Sequence, residues 1–158
     1  MIVVSVGTNE ARFDRMLDWV SQAGLDEELV VQHGPSAVRP AGATCVAYVP
    51  YEELVELVSR SRAFVTHAGV GSILVSLGAG RRPVVVPRLE RFGEAVDDHQ
   101  LPLARRLAAE HLVTLVETPE QLSQALGRRD HALTAQLGAS ALAQDLRGYL
   151  LDRVRPVP

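Results

Sequence analysis

Two short polar segments combine residue types that handle anions and hydroxyl groups. The first, His67-Ala68-Gly69-Val70-Gly71-Ser72, follows a β-branched run and leads within four residues into helical periodicity. Glycines let a ligand approach the backbone closely, and the N–H groups at a helix N-terminus are unpaired donors suited to an anion. Ser72 fits either an N-cap or a phosphate donor, and His67 can donate a further hydrogen bond. A tight strand-to-helix turn closed by a serine cap fits the same residues, and the segment alone leaves both readings open. The second segment is Asp97-Asp98-His99-Gln100. Proline is tolerated only in the first turn of a helix, so Pro102 puts a helix start near Asp98 or His99. A carboxylate and an amide at that point can bracket sugar hydroxyls. The plainer alternative is an acidic helix N-terminus favoured by the macrodipole, worth roughly 0.3–1 kcal/mol.

Smaller features accompany these two. Gly7-Thr8-Asn9 is either a capped turn or a cup for a second part of a ligand, and Arg88, directly after Pro87, is either solvated or a phosphate contact. His99 is a local candidate for a general base. His33, His111 and His131 have no partner spacing and are expected to be structural or surface residues. Trp19 lies one position off an apolar helical face, where it flanks the core or a protein interface.

Positioning these residues requires strands and helices in alternation, and the pattern supplies them. Ile2 to Val6 is a near-continuous apolar run, as expected of a strand buried on both faces. Phe13, Met16, Leu17 and Val20 recur at helical spacing, and Gly24 closes that helix. Strands are expected at Leu29–Gln32, Cys45–Val49, Ala63–Thr66, Pro83–Val86 and Leu112–Val116. Helices are expected after Pro50, from Ile73 to the stop at Gly78 and Gly80, and over Leu101–Ala109. Thr118-Pro119-Glu120-Gln121 is a capping box with proline at the first helical position. One amphipathic helix is expected from Asp130 to about Leu151, then a frayed tail, Arg155-Pro156-Val157-Pro158. Such alternation predicts a doubly wound α/β sandwich with a mostly parallel sheet, and one domain over residues 1–158. Ligands of these sheets bind beyond the carboxyl ends of the strands. That rule gathers Gly7-Thr8-Asn9, His67 to Ser72, and Pro87 to Gln100 on one rim.

Composition removes whole classes of chemistry. All 16 basic residues are arginine. A Walker A loop and a Schiff-base or pyridoxal mechanism both need lysine, so neither is possible. The single cysteine, Cys45, excludes a disulfide framework and a cysteine-rich zinc site. A net charge of -3 gives no reason to expect nucleic acid. No run approaches the roughly 20 apolar residues of a membrane span, and Met1 leads straight into a strand-like run. The expectation is therefore a soluble, cytoplasmic chain. A dinucleotide-binding loop is missing after the first strand, where only Gly7 is present, and the second strand ends in Gln32-His33 without the expected acid.

Taken in order, His67 to Leu74, Pro83-Val84-Val85-Val86-Pro87-Arg88, Phe92-Gly93-Glu94 and Asp97-Asp98-His99-Gln100 resemble the glycosyltransferase family 28 C-terminal domain. Val6-Gly7-Thr8 and Gln32-His33-Gly34 fit as well, and the similarity runs to about Leu126. The chain is most similar to the short stand-alone members. These are the soluble subunit of the lipid-linked UDP-N-acetylglucosamine transferase and the small subunits of bacterial exopolysaccharide glycosyltransferases. The resemblance implies a Rossmann-like domain, the C-terminal half of a GT-B glycosyltransferase. The implied activity is transfer of a hexose from a UDP-sugar to a lipid-linked acceptor, with inversion and without a bound metal or other cofactor. A membrane-anchored partner subunit would hold the acceptor and keep this chain peripheral at the inner face of the membrane. By the same resemblance His67, Gly71 and Ser72 hold the diphosphate; Gly69 and Arg88 are further candidates for the nucleotide site. Asp98 and Gln100 hold the sugar, and Gly7 and Thr8 line the cleft between the halves. Related motifs carry a glutamate for the ribose three residues after the serine, where this chain has Val75. The alternative function is a non-catalytic nucleotide-binding or regulatory module of Rossmann type.

Overall fold

The computed structural model describes residues 1–128 and His131. The helix expected from Asp130 and the proline-rich tail lie outside the described residues. Strand β1 (Ile2–Ser5) leads to helix α1 (Asp14–Gln22), then β2 (Leu29–Gln32) and β3 (Thr44–Val46). Helix α2 (Tyr51–Arg60), β4 (Ala63–His67), α3 (Val70–Gly78) and β5 (Val84–Val86) follow. A single 3-10 turn, Glu90–Phe92, interrupts the next loop before α4 (Gln100–Ala109), β6 (Thr114–Leu115) and α5 (Pro119–Gly127).

All six strands are parallel, in the order β3-β2-β1-β4-β5-β6. Successive side chains of a strand point to opposite faces, which is why both faces of this sheet are apolar. Ile2 and Val4 pack with Met16, Leu17 and Val20 of α1 and Leu122 and Leu126 of α5. Val3 and Phe64 pack on the other side with Val58 of α2 and Val75 of α3. Val85 meets Ile73 and Leu77 of α3 and Ala104 and Leu107 of α4 on that same side. The chain therefore winds first to one edge, through β2 and β3, and then back across β1 to the other. The reversal falls between β1 and β4, paired in register from Ile2↔Ala63 to Ser5↔Thr66.

Several expected elements shift, each for a local reason. Helix α4 begins at Gln100, with His99 at its cap, so Pro102 is the third helical residue and still needs no N–H partner. Thr118 caps α5 by accepting from the Gln121 N–H at 3.3 Å, while the Gln121 side chain returns to the Glu117 N–H at 2.7 Å, one residue before the box geometry. The third strand is shorter than expected, because beyond Val46 the chain turns toward α2 with Tyr48 exposed. Trp19 flanks the core, partly buried, with the Arg15 guanidinium 4.7 Å from its ring centre. Among the described residues no helix is long and apolar enough to cross a membrane.

Candidate active site at the reversal of the sheet

A parallel sheet whose strand order reverses opens a crevice at the carboxyl ends of the two diverging strands. Here those ends are the turns after β1 and β4, and a cleft of about 350 Å³ lies between them. Gly7 and Thr8 form one wall and His67, Gly71 and Ser72 the other, so five of the expected site residues share one cavity. Val49, Leu54 and Val75 add an apolar side, and Tyr51 lies at its edge with most of its side chain exposed.

The turn after β1 is held by side chains from two strands. Gly7 adopts φ 80°, a left-handed conformation that glycine takes at little cost. Its N–H donates to the buried Ser5 hydroxyl at 3.1 Å, and its carbonyl accepts from the Gln32 side-chain amide at 3.1 Å. Both main-chain groups of Gly7 are thereby used, so it contributes space rather than a hydrogen bond, and Thr8 is the first residue of the turn open to solvent. Ser5 and Gln32 also line the cleft, and neither was singled out as a site residue from the sequence. Their signal was a polar side chain at a strand end otherwise made of valines.

The turn after β4 is tighter than a serine cap allows. Gly69, in extended backbone, is the cap of α3, and no side chain bonds to the helix's first N–H groups. Ser72 is the third helical residue, so its expected role as an N-cap is corrected: the helix has already begun at Val70. Four N–H groups begin any α-helix without intrahelical partners, and together with the macrodipole they favour negative charge. At α3 this end opens on the cleft through Gly71 and Ser72. A Cβ placed on Gly71 would meet nothing within 4 Å, so no packing within the described chain demands glycine there.

His67 occupies the floor between the two turns. A Cβ on Gly7, or one on Gly69, would have three atoms of its ring within 3.0 Å. Its Nδ1 pairs with the Thr66 hydroxyl at 3.2 Å. Burial lowers the imidazole pKa from 6.5 to about 4, with the positive charge of Arg88 as the second cause. His67 is thus neutral at ordinary pH and can donate a hydrogen bond without adding charge.

Arg88 departs furthest from expectation. It was expected to meet a phosphate, but it is completely buried. One terminal nitrogen donates to the carbonyls of Ala11, Arg12 and Glu94, and the other to Val6 O at 2.8 Å. The guanidinium also stacks 4.6 Å from the centre of the Phe13 ring. Both terminal nitrogens are spent on main-chain carbonyls and the side chain is shut off from solvent, so Arg88 is a strut under the β1 turn and not a ligand contact. Beside it Arg15 pairs with the buried Glu94 carboxylate at 2.7 Å and also donates to Pro87 O. Glu94 accepts in turn from the Leu89 N–H, which ties the loop after β5 to α1.

The second polar segment lies on the same rim but does not line this cleft. Asp98 is exposed and accepts from the Glu90 N–H at 2.8 Å, closing the 3-10 turn. Gln100 is buried, and its carbonyl oxygen accepts from Ala68 N at 3.2 Å and Arg88 N at 3.1 Å. That oxygen therefore joins the turn after β4 to the segment after β5. His99 is exposed and pairs through Nδ1 with Asp97. Hydrogen bonds from the His99 main chain and ring hold the Asp97 carboxyl below its usual range. His33 Nδ1–H donates to its neighbour Gly34 O at 2.7 Å, and His111 takes a left-handed φ of 57° after α4. Among the described residues no group of three or more His, Cys, Asp or Glu side chains is arranged to hold a metal ion.

Among the described residues the large exposed apolar side chains are Tyr48, Tyr51, Val70, Phe92 and Val96, which lie in the loops after β3 and β5 or at the first residues of α2 and α3. The Trp19 ring, expected to flank the core or a protein interface, is partly buried and covered by the Arg15 guanidinium.

Comparison with known proteins agrees with this geometry. The model of the glycosyltransferase family 28 C-terminal domain matches residues 1–144. No curated protein sequence matches the chain. Among solved structures, the calicheamicin glycosyltransferase CalG4 superposes with a TM-score of 0.60 at 19% identity. SnogD, a glycosyltransferase from Streptomyces nogalater, gives 0.59 at 20%. MurG from Acinetobacter baumannii gives 0.57 at 22%. Each match covers 96% of this chain but only 38%, 39% and 49% of the respective relative, so the chain spans less than half their length. At such identities the likeness is one of fold, that of the C-terminal half of a GT-B enzyme. The chain belongs to the glycosyltransferase family 28 C-terminal domain family.

Proposed function

We propose that the chain is the donor-binding subunit of a hexosyltransferase that takes its sugar from a UDP-sugar, in exopolysaccharide or glycolipid synthesis. The observation that carries this reading is the uncapped N-terminus of α3, which faces Gly7 and Thr8 across the cleft and is left open by Gly71. The diphosphate lies against that helix end, with Ser72 and Thr8 hydroxyls and the neutral His67 as further donors. The nucleoside extends toward Val49, Leu54 and Val75, where apolar walls suit a base. Asp98 and Gln100 meet the sugar from the neighbouring loop; Gln100 does so with whatever its bridging carbonyl leaves free.

In the transfer step an acceptor hydroxyl attacks the anomeric carbon and inverts it, while the C–O bond to the diphosphate breaks. Negative charge grows on the leaving phosphate as that bond lengthens. Fixed donors and a helix dipole aimed at it stabilise this charge without needing to reorganise, which is the larger part of many catalytic effects. The acceptor's proton goes to a base on the partner half or to His99, whose ring Asp97 orients. The acceptor is lipid-linked and held by a membrane-anchored partner subunit, which keeps this chain at the cytoplasmic face of the membrane. Exposed apolar side chains on this rim, Tyr51 at the cleft edge among them, support such a docking half. So does the extra length of the solved relatives.

The test is calorimetric titration of UDP into the purified chain, with Ser72→Ala as the comparison. Binding that weakens about tenfold or more in the variant supports the donor site, since a hydrogen bond to a charged group contributes roughly 1.5–3 kcal/mol. Absence of UDP binding, or equal binding by the variant, overturns it. Binding of NAD in place of UDP favours the alternative, a non-catalytic nucleotide-binding module.

A further inference from the structure

We propose that Gln32 is a positioning residue for the donor: its side-chain amide sets the direction of two peptide groups that flank the cleft. This rests on the donor-site reading above. Gln32 ends β2, is 3% exposed, and stands between β1 and β3 in the register Ser5↔Gln32↔Val46. Its Nε2 donates to Gly7 O at 3.1 Å and its Oε1 accepts from Val49 N at 3.2 Å. Those two residues are 25 and 17 positions away and both line the cleft. The main-chain carbonyl of Gln32 also accepts from Val6 N at 3.1 Å, so the end of β1 is held twice by one residue.

The consequence follows from peptide geometry. In a planar trans peptide the C=O and the next N–H point in opposite directions. Fixing Gly7 O on Gln32 therefore fixes the Thr8 N–H, and fixing Val49 N–H fixes the Tyr48 carbonyl. Because Ser5 takes the Gly7 N–H, the Thr8 amide is the first main-chain donor of this turn that a ligand can use. A glutamine is well matched to the task, since its amide places a donor and an acceptor on the same planar end whatever the pH. An apolar side chain of similar length leaves both Gly7 O and Val49 N unpaired and the two peptide planes free to turn.

UDP titration of Gln32→Met and Gln32→Glu, beside the wild type and Ser72→Ala, tests this. Gln32→Met is expected to bind UDP at least tenfold more weakly. Gln32→Glu supplies a conditional rescue. A protonated carboxyl, favoured by burial, offers one O–H to Gly7 O and one acceptor to Val49 N; an ionised one offers acceptors only. Its affinity relative to wild type at the same pH should be near unity at about pH 5.5 and fall tenfold or more by about pH 8. The charged or titratable side chains near the substituted carboxyl are His67 and Tyr51, which line the same cleft, and the adjacent His33; His67 is neutral across that window. The wild-type ratio removes the contribution of His33 and of UDP's own titration. A ratio flat with pH, with Ser72→Ala still weakened, overturns the positioning role alone; no UDP binding by the wild type overturns the donor site itself. Where a Gln32 variant does not fold, amide exchange in the wild type decides. Val49 must be protected without ligand and Thr8 become protected on adding UDP. An unprotected Val49, or a Thr8 amide that UDP leaves unchanged, overturns the proposal.

Discussion

The imidazole of His67 rests directly against the Cα of Gly7, so the two turns that frame the cleft are packed on one another through a side chain and a missing side chain. Gly69 lies against the same ring. Neither glycine can be replaced without moving the ring, and Gly7 has a left-handed φ of 80° besides.

Gly69→Ala is accordingly expected to cost about 1–3 kcal/mol, as overpacking does. Its melting temperature should fall by roughly 2–4 °C for each kcal/mol. In a His67→Ala background the same change should cost far less, because the ring it strikes is gone. A double-mutant cycle read by thermal denaturation checks this; additive losses would show that the contact carries no energy. Gly7→Ala should stay costly in both backgrounds, since its backbone conformation still disfavours a side chain.

Gly71→Ala should separate folding from binding. The added methyl meets no protein atom, and alanine in a helix is about 0.5–1 kcal/mol better than glycine. Thermal stability is therefore expected to hold or rise while UDP affinity falls tenfold or more. Unchanged affinity by calorimetry would remove Gly71 from the phosphate site.

Arg88→Lys should destabilise the fold by more than about 3 kcal/mol. A point ammonium cannot serve four carbonyls set around a planar fork, and buried acceptors left unpaired cost about 1–3 kcal/mol each. Arg12→Ala removes an arginine paired with Asp14 at the surface, and should change stability by less than about 1 kcal/mol. Urea denaturation of the two variants makes the comparison, and equal losses would contradict the assignment of Arg88 as a strut.

His67 should also make the fold sensitive to mild acid. Its pKa is depressed from 6.5 to about 4, so the unfolded chain takes up this proton first as pH falls. Between those values the unfolded state binds more protons, and stability drops as pH is lowered through the window. The full loss, reached below about pH 4, is at most on the order of 3 kcal/mol. His67→Gln should flatten this part of the pH–stability curve. The lowered carboxyls of Asp14 and Glu27 act further down, losing their contribution as pH falls below the ordinary carboxylate range. An unchanged slope between pH 6.5 and 4 in the variant would count against a neutral, buried His67.

Much of this protein is written in its local sequence. Ile2 to Val6 and Ala63 to Thr66 are runs that only a doubly covered strand accommodates, and Phe13, Met16, Leu17 and Val20 mark the buried side of α1. Thr118-Pro119 marks the start of α5 just as clearly. Strand-to-helix alternation then leads to a parallel sheet, and the carboxyl-end rule puts Gly7, Thr8 and the His67–Ser72 turn on one rim. These features depend on periodicity, capping and backbone preference, which act over a few residues.

Contacts between distant residues were decided only in the folded chain. Whether Arg88 points to solvent or inward depends on carbonyls up to 82 positions away, and nothing near Pro87 signals them. Ser72 is not the cap because α3 begins at Val70 with Gly69 in the cap position, where the His67 ring leaves no room for a side chain. Gln32 reads locally as an ordinary polar strand end. Its function emerges when β1 and the loop before α2 come to either side of it. Short-range preferences can specify an element, but a hydrogen bond between turns exists only once the sheet has set their separation.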